Sequence, residues 1–171
     1  DIVLVGDSMA NVLYALKKTN KITLNNIIQH TLSVQQGIKK SLLVVDMPKG
    51  SYDNLKDALQ NAKLIMNSTN CDALKLENNK KNYKFIEILV KNNIPVMGHI
   101  GYTPQFKNKF KIEGDTKKKA EQLLKEAFLI EKAGAFSIVL ECITSQTSKL
   151  ISSALKIPTI GIGSSSYCDG Q

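Results

Sequence analysis

Short apolar runs in this sequence repeatedly end in side chains that can bind a metal ion or transfer a proton. The runs are IVLVGDS, SLLVVDMP, ALKLE, IPVMGHIG and SIVLE, and they deliver Asp7 with Ser8, Asp46, Lys75 with Glu77, His99 and Glu141. Buried parallel strands read as continuous Val, Ile and Leu runs, and their carboxyl ends surround the active site in parallel α/β folds. The pattern therefore predicts that these side chains converge on one rim, which is typical of an enzyme.

Asp7, Asp46 and Glu77 point to a metal site. Three carboxylates at neighbouring strand ends repel one another unless a cation lies among them, and Mg²⁺ prefers oxygen ligands and needs few carboxylates. Each carboxylate alone is better explained as a helix cap or a lysine partner, but the three together favour metal binding. Lys75 lies two residues before Glu77 and points the same way from its strand, so it can pair with an acidic substrate group or neutralise the carboxylates.

His99 and Glu141 are candidates for proton transfer, provided that partial burial brings either pKa near neutrality. Each alone is weak evidence, because a strand-end histidine is more often structural and a strand-end glutamate more often a helix cap. His30 lies within a helical pattern and is expected to pack or to face solvent. The GIG sequence at 161–163 is too short for a nucleotide-binding fingerprint and predicts a tight strand exit close to a ligand.

Strand-like and helical segments alternate along the chain, and a sixth apolar run, IPTIGIG, follows the other five. Each gap between strand ends is long enough for one crossover helix. The first helical pattern has Thr23 as its candidate N-cap and Gly37 as its stop. The helical patterns are ITLNNIIQHTLSVQQG, NLKDALQNAKLIMNS, KNYKFIEILVKNN, KKKAEQLLKEAFLIEKAG and SQTSKLISSALK.

Composition predicts a soluble globular chain. A length of 171 residues with 43% hydrophobic and 22% charged residues is ordinary for such a protein, so residues 1–171 are expected to form one domain. Every apolar run is too short to span a bilayer, and no targeting signal is visible. Cys71, Cys142 and Cys168 lack metal-ligand or redox spacing, which favours buried or incidental thiols over a disulfide or a nucleophile and fits a reducing cytoplasm.

The formal net charge of +8 comes from lysines alone, since the chain contains no arginine. Arginine supplies the bidentate contacts that are usual in specific recognition of bases and phosphates, and no nucleic-acid-binding motif accompanies the scattered lysines. The charge therefore indicates a solvated surface, and binding to nucleic acid is not expected.

The motifs VGDS, VVDMP with SY close behind, LKLE, VMGHIG with TPQ, GAFSIVLEC and IPTIGIG with CDGQ together resemble one family. They are similar to those of 3-methyl-2-oxobutanoate hydroxymethyltransferase, also called ketopantoate hydroxymethyltransferase, over nearly the whole chain. The resemblance implies a (β/α)8 TIM barrel and a homo-oligomer, commonly a decamer. It also implies transfer of a hydroxymethyl group from 5,10-methylenetetrahydrofolate to 3-methyl-2-oxobutanoate, giving 2-dehydropantoate for pantothenate and coenzyme A synthesis through an enolate stabilised by Mg²⁺.

The resemblance also implies roles for individual residues. Mg²⁺ is expected to be held, directly or through water, by Asp7, Asp46 and Glu77. The substrate-binding positions are Asp7, Ser8, Asp46 and Lys75. Glu141 matches the catalytic base, and His99 matches a catalytic-pocket residue near the reacting carbon, while the folate contacts stay unassigned.

The chain departs from the family pattern in length and in its rim loops. Six strand-like runs are present where the family barrel has eight, and the first and last strands are missing, so a partial barrel is expected, with an open six-stranded sheet as the alternative. The altered rim positions are Lys49, Asn78 with Asn79, Ser164–Ser166 and the run YALKKT after Ser8.

Two other functions fit the residues less well. One is another metal-dependent enzyme that forms an enolate from a keto acid, of the phosphoenolpyruvate mutase and isocitrate lyase type. The other is a noncatalytic fragment, which the missing barrel ends and altered loops support.

Overall fold

The computed structural model describes residues 1–79 and 83–171, and within these ranges strands and helices alternate. The strands are β1 (Ile2–Val5), β2 (Leu42–Asp46), β3 (Ala73–Lys75), β4 (Val96–Gly101), β5 (Ser137–Glu141) and β6 (Thr159–Ile162). The helices are α1 (Met9–Val12), α2 (Leu24–Gln35), α3 (Leu55–Thr69), α4 (Tyr83–Lys91), α5 (Lys117–Lys132) and α6 (Ser145–Ala154). The helix predicted from residue 81 begins, in its first two positions, outside the described residues.

Helices α2, α3 and α5 begin where a side chain satisfies one of their first backbone N–H groups. The predicted N-cap Thr23 accepts a hydrogen bond from the Asn26 backbone, and Asn26 returns the contact in a capping box. Asn54 and Thr116 cap α3 and α5 with a single contact each, accepting a hydrogen bond from the backbone N–H of Asp57 and Lys119. The predicted stop at Gly37 lies just beyond the end of α2.

The six strands form one parallel sheet in the order β1-β2-β3-β4-β5-β6. Each strand therefore pairs with the next strand in the sequence. The β1–β2 connection contains two helices, α1 and α2, and each later connection contains one. Because all strands run the same way, their carboxyl ends lie on one rim. Residues from both edge strands, β1 and β6, line the same cavity at that rim, so the sheet curls into a partial barrel and the predicted barrel fragment is confirmed.

Apolar side chains pack on both faces of the sheet, but unequally. The larger cluster lies between the sheet and the helices and includes Leu43, Leu74 and Ile138. The smaller cluster lies on the inner face of the curled sheet, and its buried members are Val44, Ala73, Met97 and Val139. This inner layer forms a floor beneath the polar strand ends.

No helix among the described residues is long and apolar enough to cross a membrane. Cys71 and Cys142 are buried, Cys168 is partly exposed, and all three are free thiols, as their spacing predicts.

Candidate active site

Side chains from consecutive strand ends line one cavity of about 840 Å³ at the carboxyl rim. Asp46, Lys75 and Glu141 are the last residues of β2, β3 and β5. The predicted site residues that line this cavity are Asp7, Ser8, Asp46, Lys75, Glu77, His99 and Glu141. The structure thus brings all seven together, and their individual roles stay predictions.

The alternation of side chains along each strand explains why these residues face the cavity. In β2, Leu43 and Val45 pack against the helices, whereas Val44 and Asp46 project from the inner face. The same alternation in β4 turns His99 toward the cavity. In β2, four apolar residues are followed by Asp46, whose side chain lies at the rim of the cavity.

A row of polar contacts crosses four neighbouring strand ends. Lys75 Nζ donates to Asp46 Oδ1 at 2.8 Å in a buried ion pair. The same ammonium lies 3.3 Å from His99 Nδ1, and His99 Nε2 lies 3.2 Å from Glu141 Oε2. Because an ammonium can only donate, Nδ1 acts as the acceptor and the ring proton belongs on Nε2, facing Glu141. At this geometry Nε2 has no hydrogen-bond partner among the described residues.

His99 is held in its neutral form. Burial and the positive charge of Lys75 together lower its pKa to about 4, against the opposing effect of Glu141. At neutral pH the ring can therefore accept from Lys75 and present an N–H toward Glu141.

The buried carboxyl groups around Lys75 carry more negative charge than one ammonium compensates. Burial raises the pKa of Asp46 to about 6 and that of Glu77 to about 9, with Lys75 opposing both shifts. Burial also raises the pKa of Asp7. Burial lowers the pKa of Lys75, but Asp46 and Glu77 raise it by more, so the lysine stays charged. Such a cluster favours either bound protons or an additional cation.

Asp7 is the carboxylate best placed to accept a new partner. It is buried, and its Oδ2 accepts no hydrogen bond within residues 1–79 and 83–171. Asp46 is paired with Lys75, and Glu77 Oε2 accepts from the Gln105 backbone at 3.0 Å. Among the described residues, no three His, Cys, Asp or Glu side chains converge closely enough to hold a metal ion by themselves. The donor set fits Mg²⁺ held by one or two carboxylates, with water or substrate completing its coordination.

Two buried residues that received no role from the sequence tie the rim loops together next to Glu77. The amide of Gln105 donates to the Met47 carbonyl at 3.0 Å, and the Tyr52 hydroxyl donates to the Gln105 side-chain carbonyl at 2.5 Å. Tyr52 belongs to the SY motif and Gln105 to the TPQ motif, two of the motifs on which the family resemblance rests. Nothing in their spacing indicated that they meet, because they come from loops that follow different strands.

The remaining candidates lie where the sequence predicted. His30 is in α2, outside the cavity, and its Nε2 lies 2.7 Å from the Tyr14 hydroxyl. Gly161, within β6, and Gly163, just after it, line the cavity, and their closeness to a ligand stays a prediction.

The altered rim positions make contacts of their own. The Lys49 ammonium lies 5.4 Å from the centre of the Phe106 ring. Asn78 donates weakly to Glu126 at 3.4 Å, and the Ser164 hydroxyl lies 2.6 Å from that of Ser148. Lys49 thus contacts a loop residue, whereas Asn78 and Ser164 contact residues of α5 and α6, and the row of polar strand ends stays in place.

Comparison with known proteins identifies close relatives over the full length of this chain. The family model described as ketopantoate hydroxymethyltransferase matches residues 1–171. A protein of Pelagibacter ubique named 3-methyl-2-oxobutanoate hydroxymethyltransferase is 52% identical over 171 residues, which are 100% of this chain and 66% of that protein. A protein of the same name from Clostridioides difficile is 44% identical, covering 99% of this chain and 63% of its own length. The chain thus spans just under two thirds of these relatives.

Solved structures share the fold at much lower identity. A putative phosphonomutase from Burkholderia cenocepacia aligns with a TM-score of 0.72 at 10% identity, covering 94% of this chain and 68% of its own. A 2,3-dimethylmalate lyase, a member of the PEP mutase/isocitrate lyase superfamily, aligns with a TM-score of 0.69 at 14% identity, covering 94% and 59%. These similarities concern the fold alone.

Proposed function

The chain belongs to the ketopantoate hydroxymethyltransferase family, and we propose that its protein transfers a hydroxymethyl group from 5,10-methylenetetrahydrofolate to 3-methyl-2-oxobutanoate, giving 2-dehydropantoate. The observation that carries this proposal is the row of buried acid, lysine and histidine side chains that ends at Glu141. A homo-oligomeric assembly and a cytoplasmic location stay predictions from the resemblance.

Lys75 and Ser8 are the proposed contacts for the keto acid. Among the described residues, Lys75 is the one lysine that lines the large cavity, and its buried ammonium suits a carboxylate group of the substrate. Ser8 precedes α1, and its side chain makes no capping hydrogen bond, which leaves the hydroxyl available to the substrate. Asp7 and Asp46 border the same space.

Asp7, Asp46 and Glu77 are the proposed holders of Mg²⁺, directly or through water. Support comes from the unpaired buried Oδ2 of Asp7 and from the raised pKa values of the three carboxyl groups. When bound, Mg²⁺ would supply Lewis acidity at the keto oxygen, where negative charge develops as the neighbouring carbon loses its proton.

Glu141 is the proposed general base. Its side chain is 20% exposed and opens into the cavity beside His99, so it can reach the C3 proton of a bound keto acid. The His99 N–H faces the same carboxylate and would orient it. C3 then forms a bond to the methylene carbon of the folate, and the two bonds from that carbon to the folate nitrogens break. Water supplies the hydroxyl of the new hydroxymethyl group, and tetrahydrofolate leaves with the proton taken from C3 and one proton from water.

The proposal predicts that proton transfer at C3 can be observed without folate. With Mg²⁺ and 3-methyl-2-oxobutanoate in deuterated water, the full-length protein should exchange the C3 proton, measured by NMR. Glu141→Gln keeps the shape but removes the base, so exchange should slow by roughly 10²- to 10⁴-fold. Glu121→Gln, an exposed glutamate of α5, is the matched control and should exchange like the parent.

The opposite results would discriminate among the alternatives. No exchange by the folded, Mg²⁺-loaded parent would reject the proposed function and favour the noncatalytic interpretation. Normal exchange by Glu141→Gln would move the role of base to another group, of which His99 is the nearest.

The alternative of another keto-acid enolate enzyme rests on the fold. The neighbours of the PEP mutase/isocitrate lyase superfamily are 10–15% identical to this chain, whereas a named hydroxymethyltransferase is 52% identical. Formation of 2-dehydropantoate in a complete assay would distinguish the two.

A further inference from the structure

Gln105, in the loop that follows β4, contacts the ends of two other strands. Its backbone N–H donates to Glu77 Oε2 at 3.0 Å, just after β3. Its side-chain N–H donates at 3.0 Å to the carbonyl of Met47, the residue that follows Asp46. Gln105 is only 1% exposed. One buried residue therefore links the strand ends that carry two of the proposed Mg²⁺ holders.

The Gln105 side chain also acts on the third proposed holder, Asp7. Burial raises the pKa of Asp7, whereas Lys75, Thr19 and the Gln105 side chain lower it. A group that lowers the pKa of a carboxyl stabilises the ionised form, which is the form that a cation binds. Gln105 thus supports the carboxylates from behind the strand ends.

Tyr52 fixes the orientation of the Gln105 amide. A backbone carbonyl accepts but cannot donate, so the amide nitrogen faces Met47, and the amide oxygen Oε1 faces the Tyr52 hydroxyl that donates to it at 2.5 Å. Burial raises the pKa of Tyr52 well above its usual value, and nearby carboxylates raise it further, so the hydroxyl keeps the proton that it donates. Loss of the hydroxyl would leave Oε1 buried without this donor.

The Tyr52 ring is held in place by its neighbours. It lies edge-to-face against Phe85 of α4 and Phe106 of the loop after β4, with ring centres 6.3 Å apart in each pair. The loop that carries Tyr52 is tied to α3, because the Asn61 side chain donates to the Ser51 carbonyl at 2.7 Å. The Tyr52 hydroxyl is therefore presented to Gln105 from a fixed position.

We infer that Gln105 and Tyr52 are positioning residues of the proposed Mg²⁺ site, which hold the ends of β2 and β3 at the spacing that the metal needs before it binds. Carboxylates that share one ammonium repel one another, so strand ends without such ties would have to be drawn together by the metal itself. Neither residue is among the described residues that line the large cavity, so both act through the metal-holding residues. The inference rests on the proposed function, because that function places Mg²⁺ among these carboxylates.

The test measures the Mg²⁺ affinity of the full-length protein by isothermal titration calorimetry. Gln105→Met removes both side-chain hydrogen bonds at similar volume and should raise the Kd for Mg²⁺ by roughly 10- to 100-fold, as for lost partners of metal ligands. Tyr52→Phe removes the hydroxyl alone and should raise this Kd by about 3- to 10-fold, as for one hydrogen bond. Because Tyr52 acts through Gln105, the double variant should bind Mg²⁺ no more weakly than Gln105→Met.

C3 exchange of the keto acid separates positioning from catalysis. Each variant should need more Mg²⁺ than the parent for half-maximal exchange. At saturating Mg²⁺ each should reach the parent's rate, because the proposed base Glu141 is unchanged. A rate that stays low in both variants at saturating Mg²⁺ would mean that the pair acts on the reaction itself, and the inference would be wrong.

Ser137→Ala is the matched control for the loss of a buried hydrogen bond. Ser137 is buried at the start of β5, at the end of the sheet away from the carboxyl rim, and its hydroxyl donates to the Pro158 carbonyl at 2.9 Å. This variant should lose stability in urea and keep the parent's Kd for Mg²⁺. An equal rise of Kd in Ser137→Ala would mean that any destabilising change weakens the site, which would overturn the inference.

The outcomes distinguish this inference from the proposed function. If the parent binds Mg²⁺ and exchanges the C3 proton while both variants keep its Kd, the inference is wrong and the function stands. If Gln105→Met does not fold, the Kd of Tyr52→Phe decides alone. A parent that binds Mg²⁺ without C3 exchange would overturn the function, and the calorimetry would still decide the inference. A parent that does not bind Mg²⁺ would overturn both.

Discussion

Lys75 lies at the centre of the buried charges of the site. It forms an ion pair with Asp46 at 2.8 Å and contacts His99 at 3.3 Å, so one ammonium links the carboxylate side of the cavity to the proposed base. A buried charge that loses its only partner is strongly destabilising. Asp46 and Lys75 therefore depend on each other, whether or not a metal is bound.

The pKa of Glu77 predicts a stability that depends on pH and on Mg²⁺. The folded protein holds the Glu77 proton up to about pH 9, whereas the group's usual pKa is 4.5. Between these values the folded state binds more protons than the unfolded chain, so the free energy of unfolding of the metal-free protein should fall as pH rises. Mg²⁺ should oppose this fall, because it binds the ionised carboxylates. Urea unfolding of the full-length protein with EDTA or Mg²⁺ measures both effects.

Substitution of Glu77 isolates its contribution. Glu77→Gln should reduce the fall in unfolding free energy across this window by an amount on the order of a few kcal/mol, and should weaken the effect of Mg²⁺. Glu87→Gln removes an exposed glutamate that is paired with Lys91 and should keep the parent's slope above neutral pH. An identical slope in Glu77→Gln and the parent would mean that Glu77 is ionised in the folded state.

The approach of β4 to β5 depends on Gly101. This residue has φ = +95°, and a Cβ atom there would lie 2.1 Å from the Glu141 carbonyl oxygen, which is backbone and cannot rotate away. Only glycine allows β4 to end so close to the residue that carries the proposed base.

Gly101→Ala should therefore destabilise the protein and disturb Glu141. Gly50→Ala is the matched control, since Gly50 has a similar φ of +88°, but a Cβ atom added there would meet no other atom within 4 Å. Gly50→Ala should cost about 1–2 kcal/mol for the left-handed backbone alone, and Gly101→Ala a further 1–3 kcal/mol or so from overpacking. Thermal unfolding and C3 exchange are the measurements. Equal losses of stability in the two variants would show that β5 can move away from the added Cβ atom at no cost in free energy.

The strands were predictable because each one lies in a short apolar run, and five of the six runs end in polar residues, as in SLLVVD and SIVLE. The same regularity placed Asp46 and Glu141 on one rim. The contact between Tyr52 and Gln105 was not predictable, because it joins two irregular loops 53 residues apart. The sequence left two kinds of partner open for Lys75, an acidic group of the substrate or the neighbouring carboxylates. The direction in which Lys75 points from its strand does not reveal which negative charge lies nearer, so its ion pair with Asp46 was not predictable.

The curled sheet leaves part of its inner face exposed at its two edge strands. In the described residues β1 and β6 each pair with one strand, and Leu4 and Ile162 on these edges are 43% and 53% exposed. Gly170 covers only a short part of β6 through a bridge to Ile160. Unpaired edges beside apolar surface promote association.

Residues 1–171 produced alone should therefore self-associate, which size-exclusion chromatography with light scattering would measure. Leu4→Lys/Ile162→Lys should reduce the association by placing charge on the open face. Leu64→Lys/Leu150→Lys, which alters exposed leucines of α3 and α6, should reduce it less. A stable monomer at all concentrations tested would contradict this prediction.

The sequential strand order has a consequence for synthesis of the chain. Because every strand pairs with the one made just before it, each new strand can dock as it leaves the ribosome, with no wait for a distant partner. Asp7, Asp46, Lys75 and Glu77 all precede α4, whereas Glu141 follows α5. A nascent chain therefore acquires the carboxylate-rich part of its cavity while about half of these 171 residues are still to be translated, and the proposed base is added last.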